Sequence, residues 1–385
     1  MESPGNFYRK NVALPDDKTE LVRKLNSQKP TDESLLSQFF TAYRKKQSFC
    51  GTHNEDVVTL FIERFVADII ASNLPGFRST TRRPEQTRDI ATPLGRAYFH
   101  QINSCLDRYS MNGFFRPPVT LFFSACKELH LIGHRFNGPV VMNAQGVTDA
   151  ELFNQLIDRI RKNGRTPEYR KKVAKDNYRD FRKFRGLVNY VDALFEHVRS
   201  RLIVIRLDLR YRHESVACMR VGQAQDDLKH FFDNMRNKPS LFSDLVGQIW
   251  KLECGDHGSE HFHVMLFFTN DRLGNDCHRA EEIGEYWEEL ITKGRGFFFN
   301  CNRPEHKAKQ KKLSLGRIEY YDDEKRYNLL YQLAYFCKDE QRIQVKPKKK
   351  SRTYGRGEMP QINEKRSGRP RSVIVLPKSY LTYGG

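Results

Sequence analysis

Two histidines one residue apart open the apolar run HFHVMLFF, residues 261 to 268. In a strand successive side chains point to opposite faces, so His261 and His263 project together. Two imidazoles on one face are either a packing accident or half of a metal site. With 12 histidines in 385 residues, an H-x-H is expected by chance on the order of a few tenths of a time, so context must carry the motif. The turn-rich CGDHGSE separates this run from VGQIWKLE. If Glu253 pairs across that loop with His261, a carboxylate and both imidazoles share one sheet face. Two nitrogens and an oxygen make a moderately hard ligand set that suits Mg²⁺ or Mn²⁺ and leaves positions open for water and a phosphate oxygen. Such a centre can act as a Lewis acid on a phosphodiester.

A second group lies downstream. In DDEKRYNLLYQLAYFCKDE, Tyr327, Tyr331 and Tyr335 recur every four residues and Lys338 follows Tyr335 by three. These spacings place them on one helical stripe. A tyrosine hydroxyl is a competent nucleophile once charge-stabilised, and an ammonium nearby helps and can also balance charge on a phosphate. A tyrosine stripe at helical spacing is more often core packing.

The elements that must position these groups can be read from hydrophobic period. SLLSQFFTAYRKK, DVVTLFIERFVADII, TPLGRAYFHQINSCLDRY, PPVTLFFSACKELHLI and VTDAELFNQLIDRIRKNG repeat apolar residues at three and four, so the first half is mainly helical. The prolines at 117 and 118 fit a first helical turn, and a Thr or Asp cap and a Gly stop bound the last of these helices. At Arg201 the period changes. Ile203, Ile205, Leu207 and Leu209 alternate with Val204, Arg206, Asp208 and Arg210, which predicts a strand. A helix in GQAQDDLKHFFDNMRN, strands in VGQIWKLE and at 261, a helix in RAEEIGEYWEELITKG, a strand in LGRIEYYD and the tyrosine helix follow. The order β, α, β, β, α, β, α matches a split βαβ arrangement of the ferredoxin-like kind. The predicted fold class is α+β, with a helical N-terminal region, an antiparallel-sheet domain and a basic tail. The boundaries are 1–30 disordered, 31–200 helical, 201–345 the sheet domain and 346–385 the tail.

A net charge of +19 exceeds what solubility needs and points to a polyanionic partner, nucleic acid before an anionic membrane surface. No apolar run approaches the roughly 18 residues of a membrane span and the first residues lack a signal-peptide core, so a soluble intracellular protein is expected, with no membrane partner. The eight dispersed cysteines form no C-x-x-C pair, which argues for reduced thiols over a zinc knuckle or disulfide framework. Between 159 and 186 a basic helix or linker interleaves about a dozen Lys and Arg with Tyr and Phe, a mixture suited to phosphates and bases or to a solvated face. The tail from Lys346, KPKKKSRTYGRGEMPQINEKRSGRPRS, is Pro and Gly rich and unsuited to packing. Its Lys346, Lys348, Lys349, Lys350, Arg352 and Arg356 are expected to contact a phosphate backbone.

The H-x-H strand, the acid on the preceding strand and the Y-x-x-K helix together resemble the HUH endonucleases, the rolling-circle replication initiators and relaxases. More closely, IWKLE, HFHVMLFF, GEYWEELITKGRGFFFNCN, LAYFCK and RTYGRG resemble the bacterial and prophage family carrying the YagK/YfjJ-type C-terminal domain, which is similar to the replication proteins of filamentous inoviruses. The resemblance spans about residues 200 to 360 and leaves the N-terminal half without a counterpart. It implies an HUH-type domain in which His261 and His263 bind the metal, Tyr335 and Lys338 form the Y-x-x-K motif, and Glu253 stands where many members place a third ligand. Asp208, Asp256 and His257 compete for that third place, and Tyr331 is left to packing or backup.

The implied activity is a bacterial, cytoplasmic, metal-dependent nicking and joining of single-stranded or origin DNA through a 5′-phosphotyrosine link, with host replication proteins as further partners. The released 3′-hydroxyl would serve a polymerase. Because imidazoles bind metal only when neutral, activity should fall below about pH 6.5. The main rival is a DNA- or RNA-binding protein on a ferredoxin-like sheet without catalysis. A third reading is a nuclease that uses water in place of Tyr335.

Overall fold

Each amphipathic segment of the first half turns one apolar stripe inward, and the computed structural model shows the helices that result. It describes residues 33–47, 57–83, 86–109, 115–254, 260–269, 275–337 and 352–361. The expected disorder of residues 1–30 lies outside them. Helices α1 (Glu33–Gln47) and α2 (Val57–Ala71) lead into a hairpin of β1 (Phe77–Arg83) and β2 (Gln86–Ala91). Then come α3 (Pro93–Tyr98), α4 (Ile102–Asp107), α5 (Pro117–Glu128), α6 (Asp149–Gly164) and α7 (Pro167–Ala193). The hairpin interrupts the mainly helical first half because FRSTTRR and QTRDIA carry no apolar stripe at helical period and their threonines favour extended backbone.

Local capping explains the helix starts. The hydroxyl of Thr148 accepts from the Glu151 amide while the Glu151 carboxylate accepts from the Thr148 amide, a reciprocal capping box opening α6. Thr166 caps α7, with Pro167 in the first turn. The segment 159–186 is therefore not one helix or linker. Its first residues finish α6 and the rest form α7.

The second half alternates as β3 (Arg201–Tyr211), α8 (Gln223–Asp233), β4 (Leu245–Cys254), β5 (Glu260–Phe268), α9 (Asp276–Glu285), β6 (Gly296–Asn300), β7 (Gly316–Glu319), α10 (Asp323–Cys337) and β8 (Tyr354–Arg356). All pairings are antiparallel, in the order β6-β3-β5-β4-β8. β7 shares the β6 edge, pairing with residues 201–204 of β3 while β6 pairs with 207–211. Two of these second-half strands, like the β1–β2 hairpin before them, were not legible in the sequence. β6, GFFFN, is too short to show alternation, and β8 lies in the tail read as unsuited to packing. Tyr354–Arg356 corrects that reading, because its backbone completes the open edge of β4.

Both sheet faces are covered. Ile203, Ile205, Leu207 and Leu209 meet Phe262, Val264, Leu266 and Phe268 under α8 and α9. On the other face Leu202, Val204, Ile249, Met265 and Phe267 pack beneath α1, α7 and α10. Helices α2 to α6 enclose a separate core with Phe77. Thus α1 and α7, assigned by sequence to the helical region, complete the core of the sheet region. Among the described residues no helix is long and apolar enough to cross a membrane, and Cys105, Cys126, Cys218, Cys277, Cys301 and Cys337 are in no disulfide.

Candidate metal centre and tyrosine

Three neighbouring strands build the site by register alone. Asp208 on β3 and Lys251 on β4 lie directly opposite His263 on β5, and Glu253 lies opposite His261. Opposed residues share a face, so Arg206, Asp208, Lys251, Glu253, His261 and His263 all project toward α10. On that face the strands change from apolar residues at one end to ionisable ones at the other.

The Glu253 carboxylate joins the cluster. Its Oε2 is 2.9 Å from His263 Nε2 and 3.3 Å from His261 Nε2, while Oε1 accepts from Lys251 Nζ at 2.6 Å. One ligand atom from each of Glu253, His261 and His263 lies within 4.8 Å of the others. Ligand atoms at adjacent corners of an octahedron with bonds of about 2.1 Å are about 3 Å apart, which the 2.9 and 3.3 Å separations from Glu253 match, whereas the outer limit of 4.8 Å is wider than opposite corners, so the histidines would have to draw together around a small ion. The far side of the His263 ring strengthens the fit. Its Nδ1 is 2.5 Å from Asp208 Oδ1, which favours a proton on Nδ1, so that Nε2 could offer its lone pair to an ion once the proton it shares with Glu253 is displaced. Asp208 thus orients the imidazole from behind and does not compete with Glu253. Asp256 and His257, the other competitors, lie outside the described residues.

Tyr335 comes down from α10 onto this cluster. Its hydroxyl is 3.0 Å from His263 Nε2. Two cations flank its ring, Lys251 Nζ at 4.7 Å and Arg206 Cζ at 5.1 Å from the centroid. Arg206 is held by Gln332 Oε1 at 2.7 Å and by Asp208 at 3.4 Å. It also lies 3.2 Å from His263 Nδ1. That nitrogen already donates to Asp208, so the guanidinium is held by the carboxylate and the amide.

The electrostatics are those of a closely paired buried set. Asp208 and Glu253 are 8 % exposed and Lys251 and His263 3 %. Burial works against ionisation of Asp208, but His263 and Arg206 outweigh it and hold the carboxyl well below the usual range. Burial likewise opposes charge on Glu253, and Lys251 followed by His263 overcomes it, again lowering the carboxyl. For His263 burial favours the neutral ring, yet Asp208 and Glu253 raise its pKa above the ordinary value. Burying so many charges is a poor way to gain stability, since desolvation can exceed the attraction between them. Such sets therefore mark functional sites more often than structural ones.

The other residues singled out from sequence divide clearly. Tyr331 turns into the core, its ring 5.0 Å from Phe39 and its hydroxyl 3.2 Å from that of Tyr327. Of the three tyrosines, Tyr335 is the one that reaches the histidines. Lys338, Lys346, Lys348, Lys349 and Lys350 lie outside the described residues. Arg352 is exposed, and Arg356 stacks over Tyr190 at 5.0 Å. Sequence reasoning missed Arg206, Lys251 and Gln332 as members of the site. The first two had a signal, because Arg206 precedes Asp208 and Lys251 precedes Glu253 by two, the same-face spacing of a strand. Gln332 had none.

No curated protein and no solved structure matches the chain. A family model does match, over residues 164–357. The matched segment starts at the last residue of α6 and ends just after β8, so it takes α7 together with the sheet, the histidine pair and Tyr335. On that match, which spans half of its length, the chain belongs to the YagK/YfjJ C-terminal domain family.

Proposed function

We propose that the protein is a divalent-metal-dependent single-strand DNA nicking and joining enzyme of the HUH replication-initiator type, with Tyr335 as nucleophile. The observation that carries this reading is the Tyr335 hydroxyl 3.0 Å from His263 in a cluster that also holds His261 and Glu253. The strand order supports it, since β6-β3-β5-β4 with crossover helices α8 and α9 on one face is the order of a ferredoxin-like split βαβ unit. His261, His263 and Glu253 would hold Mg²⁺ or Mn²⁺. When bound, the ion would supply Lewis-acid polarisation of a phosphate oxygen.

The chain's own residues do the rest. Asp208 fixes the His263 ring, and Lys251 holds Glu253 while presenting its ammonium beside Tyr335. Lys251 and Arg206 favour negative charge developing on the phosphate that Tyr335 attacks. Attack forms the Tyr335 Oη–phosphorus bond and breaks the bond from phosphorus to the 3′ oxygen. In the balance the phenolic proton replaces phosphorus on that oxygen, leaving a 3′-hydroxyl and a 5′-phosphotyrosine whose reversal reseals or transfers the strand.

A second reading draws on the burial of the same cluster. Glu253 is fully engaged by Lys251 and the histidines, and a set so paired can anchor α10 to the sheet of a non-catalytic DNA- or RNA-binding protein. Incubation with single-stranded oligonucleotide and Mn²⁺, followed by denaturing electrophoresis, separates the two. A covalent adduct that disappears in Tyr335→Phe and with chelator is expected. No adduct and an uncut strand, with DNA binding intact, would leave the binder; cutting without an adduct would point to water as nucleophile, and an adduct that survives Tyr335→Phe would move the nucleophile elsewhere.

A further inference from the structure

The cations of α7 are not spread evenly around the helix. Lys172, Lys175, Arg179 and Arg182 recur at spacings of three and four and form one exposed stripe. The stripe lines a groove of about 1030 Å³ between α7, the start of α5 and Tyr354 of β8. The helix is fixed from behind, where Asp176 and Asp180 pair with the buried Arg116 at 2.7 and 3.1 Å. Of the acids lining the groove, Glu168 lies in the first turn of α7 and Asp176 pairs with Arg116 and with Arg179 at 2.5 Å, which leaves Lys172, Lys175 and Arg182 to answer phosphates. Aromatic rings interrupt the charge. Tyr178 is 56 % exposed, and Lys183 Nζ stands 5.1 Å from the Tyr354 ring.

The groove also has a direction. Tyr354 is directly opposite Lys251 in the β4–β8 pairing, so both point to the same face of the sheet. Its end wall is therefore one strand, about 4.8 Å, from the strand carrying Glu253. Regularly spaced cations answer phosphates, and rings such as the exposed Tyr178 and the half-buried Tyr354 answer unpaired bases, which a duplex keeps stacked inside.

We infer that this groove binds single-stranded DNA, with phosphates on the Lys172–Arg182 stripe and bases against Tyr178 and Tyr354, and leads the strand to the histidine cluster. The choice of DNA rests on the function proposed above, but the groove can be tested without metal or nucleophile. Binding of a short fluorescent oligo(dT) is followed by anisotropy in chelator, using the Tyr335→Phe protein throughout. Single strands lose about 0.7 in the log–log salt slope per phosphate contact. Lys172→Ala/Lys175→Ala/Arg182→Ala should therefore flatten the slope by about two and weaken binding at least ten-fold. Tyr354→Ala should weaken it about five-fold or more at unchanged slope, and the exposed Tyr178→Ala gives a parallel reading should the Tyr354 variant unfold early. Equal losses in a control triple outside the groove, Arg220→Ala/Lys229→Ala/Lys293→Ala, would reduce the groove to general charge attraction and overturn the inference. Equal affinity for a duplex, or tighter binding of oligo(U), would overturn the single-strand or the DNA assignment. Absence of an adduct in the unsubstituted protein alongside groove-dependent binding would sink Tyr335 as nucleophile and leave the groove standing.

Discussion

Asp208 touches no ligand atom of the proposed ion, yet it sets how His263 presents one. Losing such a partner typically costs 10- to 100-fold in metal affinity. Asp208→Asn is therefore expected to weaken Mn²⁺ binding by about that factor in calorimetry; unchanged affinity would show that the contact does not tune the site. The pH response has two signs. The lowered carboxyls of Asp208 and Glu253 contribute stability that is present above about pH 4, their unfolded value, and is lost as pH falls through the folded ones. The raised His263 contributes fully below about pH 6.5 and loses that contribution as pH rises through its folded value. Metal uptake reverses the second trend, because it displaces the ring proton. From about pH 6.5 upward, unfolding midpoints should fall in chelator and rise with Mn²⁺. Superimposable curves would argue against an ion at this position. The fall in activity expected near pH 6.5 from the sequence should accordingly begin higher.

At the scale of elements, α10 and β4 carry the geometry. α10 sorts its tyrosines by face, Tyr327 and Tyr331 against Phe39 of α1 and Tyr335 over β5. Tyr331→Phe should leave the DNA adduct intact and cost about 1 kcal/mol, the size of one hydrogen bond. Loss of the adduct in that variant would contradict the sorting. On β4, Gly247 passes so close to α7 and the turn after it that a Cβ there would lie 2.5 Å from Leu194 and 3.0 Å from the Tyr190 hydroxyl. That hydroxyl also accepts the Gln248 amide at 3.1 Å. Gly247→Val is thus expected to lower stability by about 1–3 kcal/mol in denaturant titrations, and a neutral outcome would mean that α7 yields. This contact was hidden in the sequence, where VGQIWKLE reads as a strand and nothing says what lies over it.

Across the whole molecule, the boundary expected at residue 200 falls inside a shared core. α1 and α7 cover Val204, Ile249, Met265 and Phe267, and the family match likewise begins before α7. A chain cut to residues 201–385 would expose that face to water. It is expected to aggregate or to bind a hydrophobic dye, whereas a cooperative unfolding transition for the fragment would show the sheet region to be self-sufficient. Light scattering and thermal denaturation decide between these. The basic tail is similarly divided, with Tyr354–Arg356 built into the sheet.

What the sequence determined by itself was the strands' polarity. Period-two alternation put Arg206 with Asp208 and His261 with His263 on common faces, and helical spacing put Tyr327, Tyr331 and Tyr335 on a stripe, because side-chain direction follows from local backbone geometry. Tertiary structure alone decided which of those faces meet. Register set Asp208 and Lys251 opposite His263, the docking of α10 chose Tyr335 over Tyr331, and Gln332 joined Arg206 across 126 positions of chain. Such meetings depend on how elements far apart in sequence pack their surfaces together, and no local pattern encodes them.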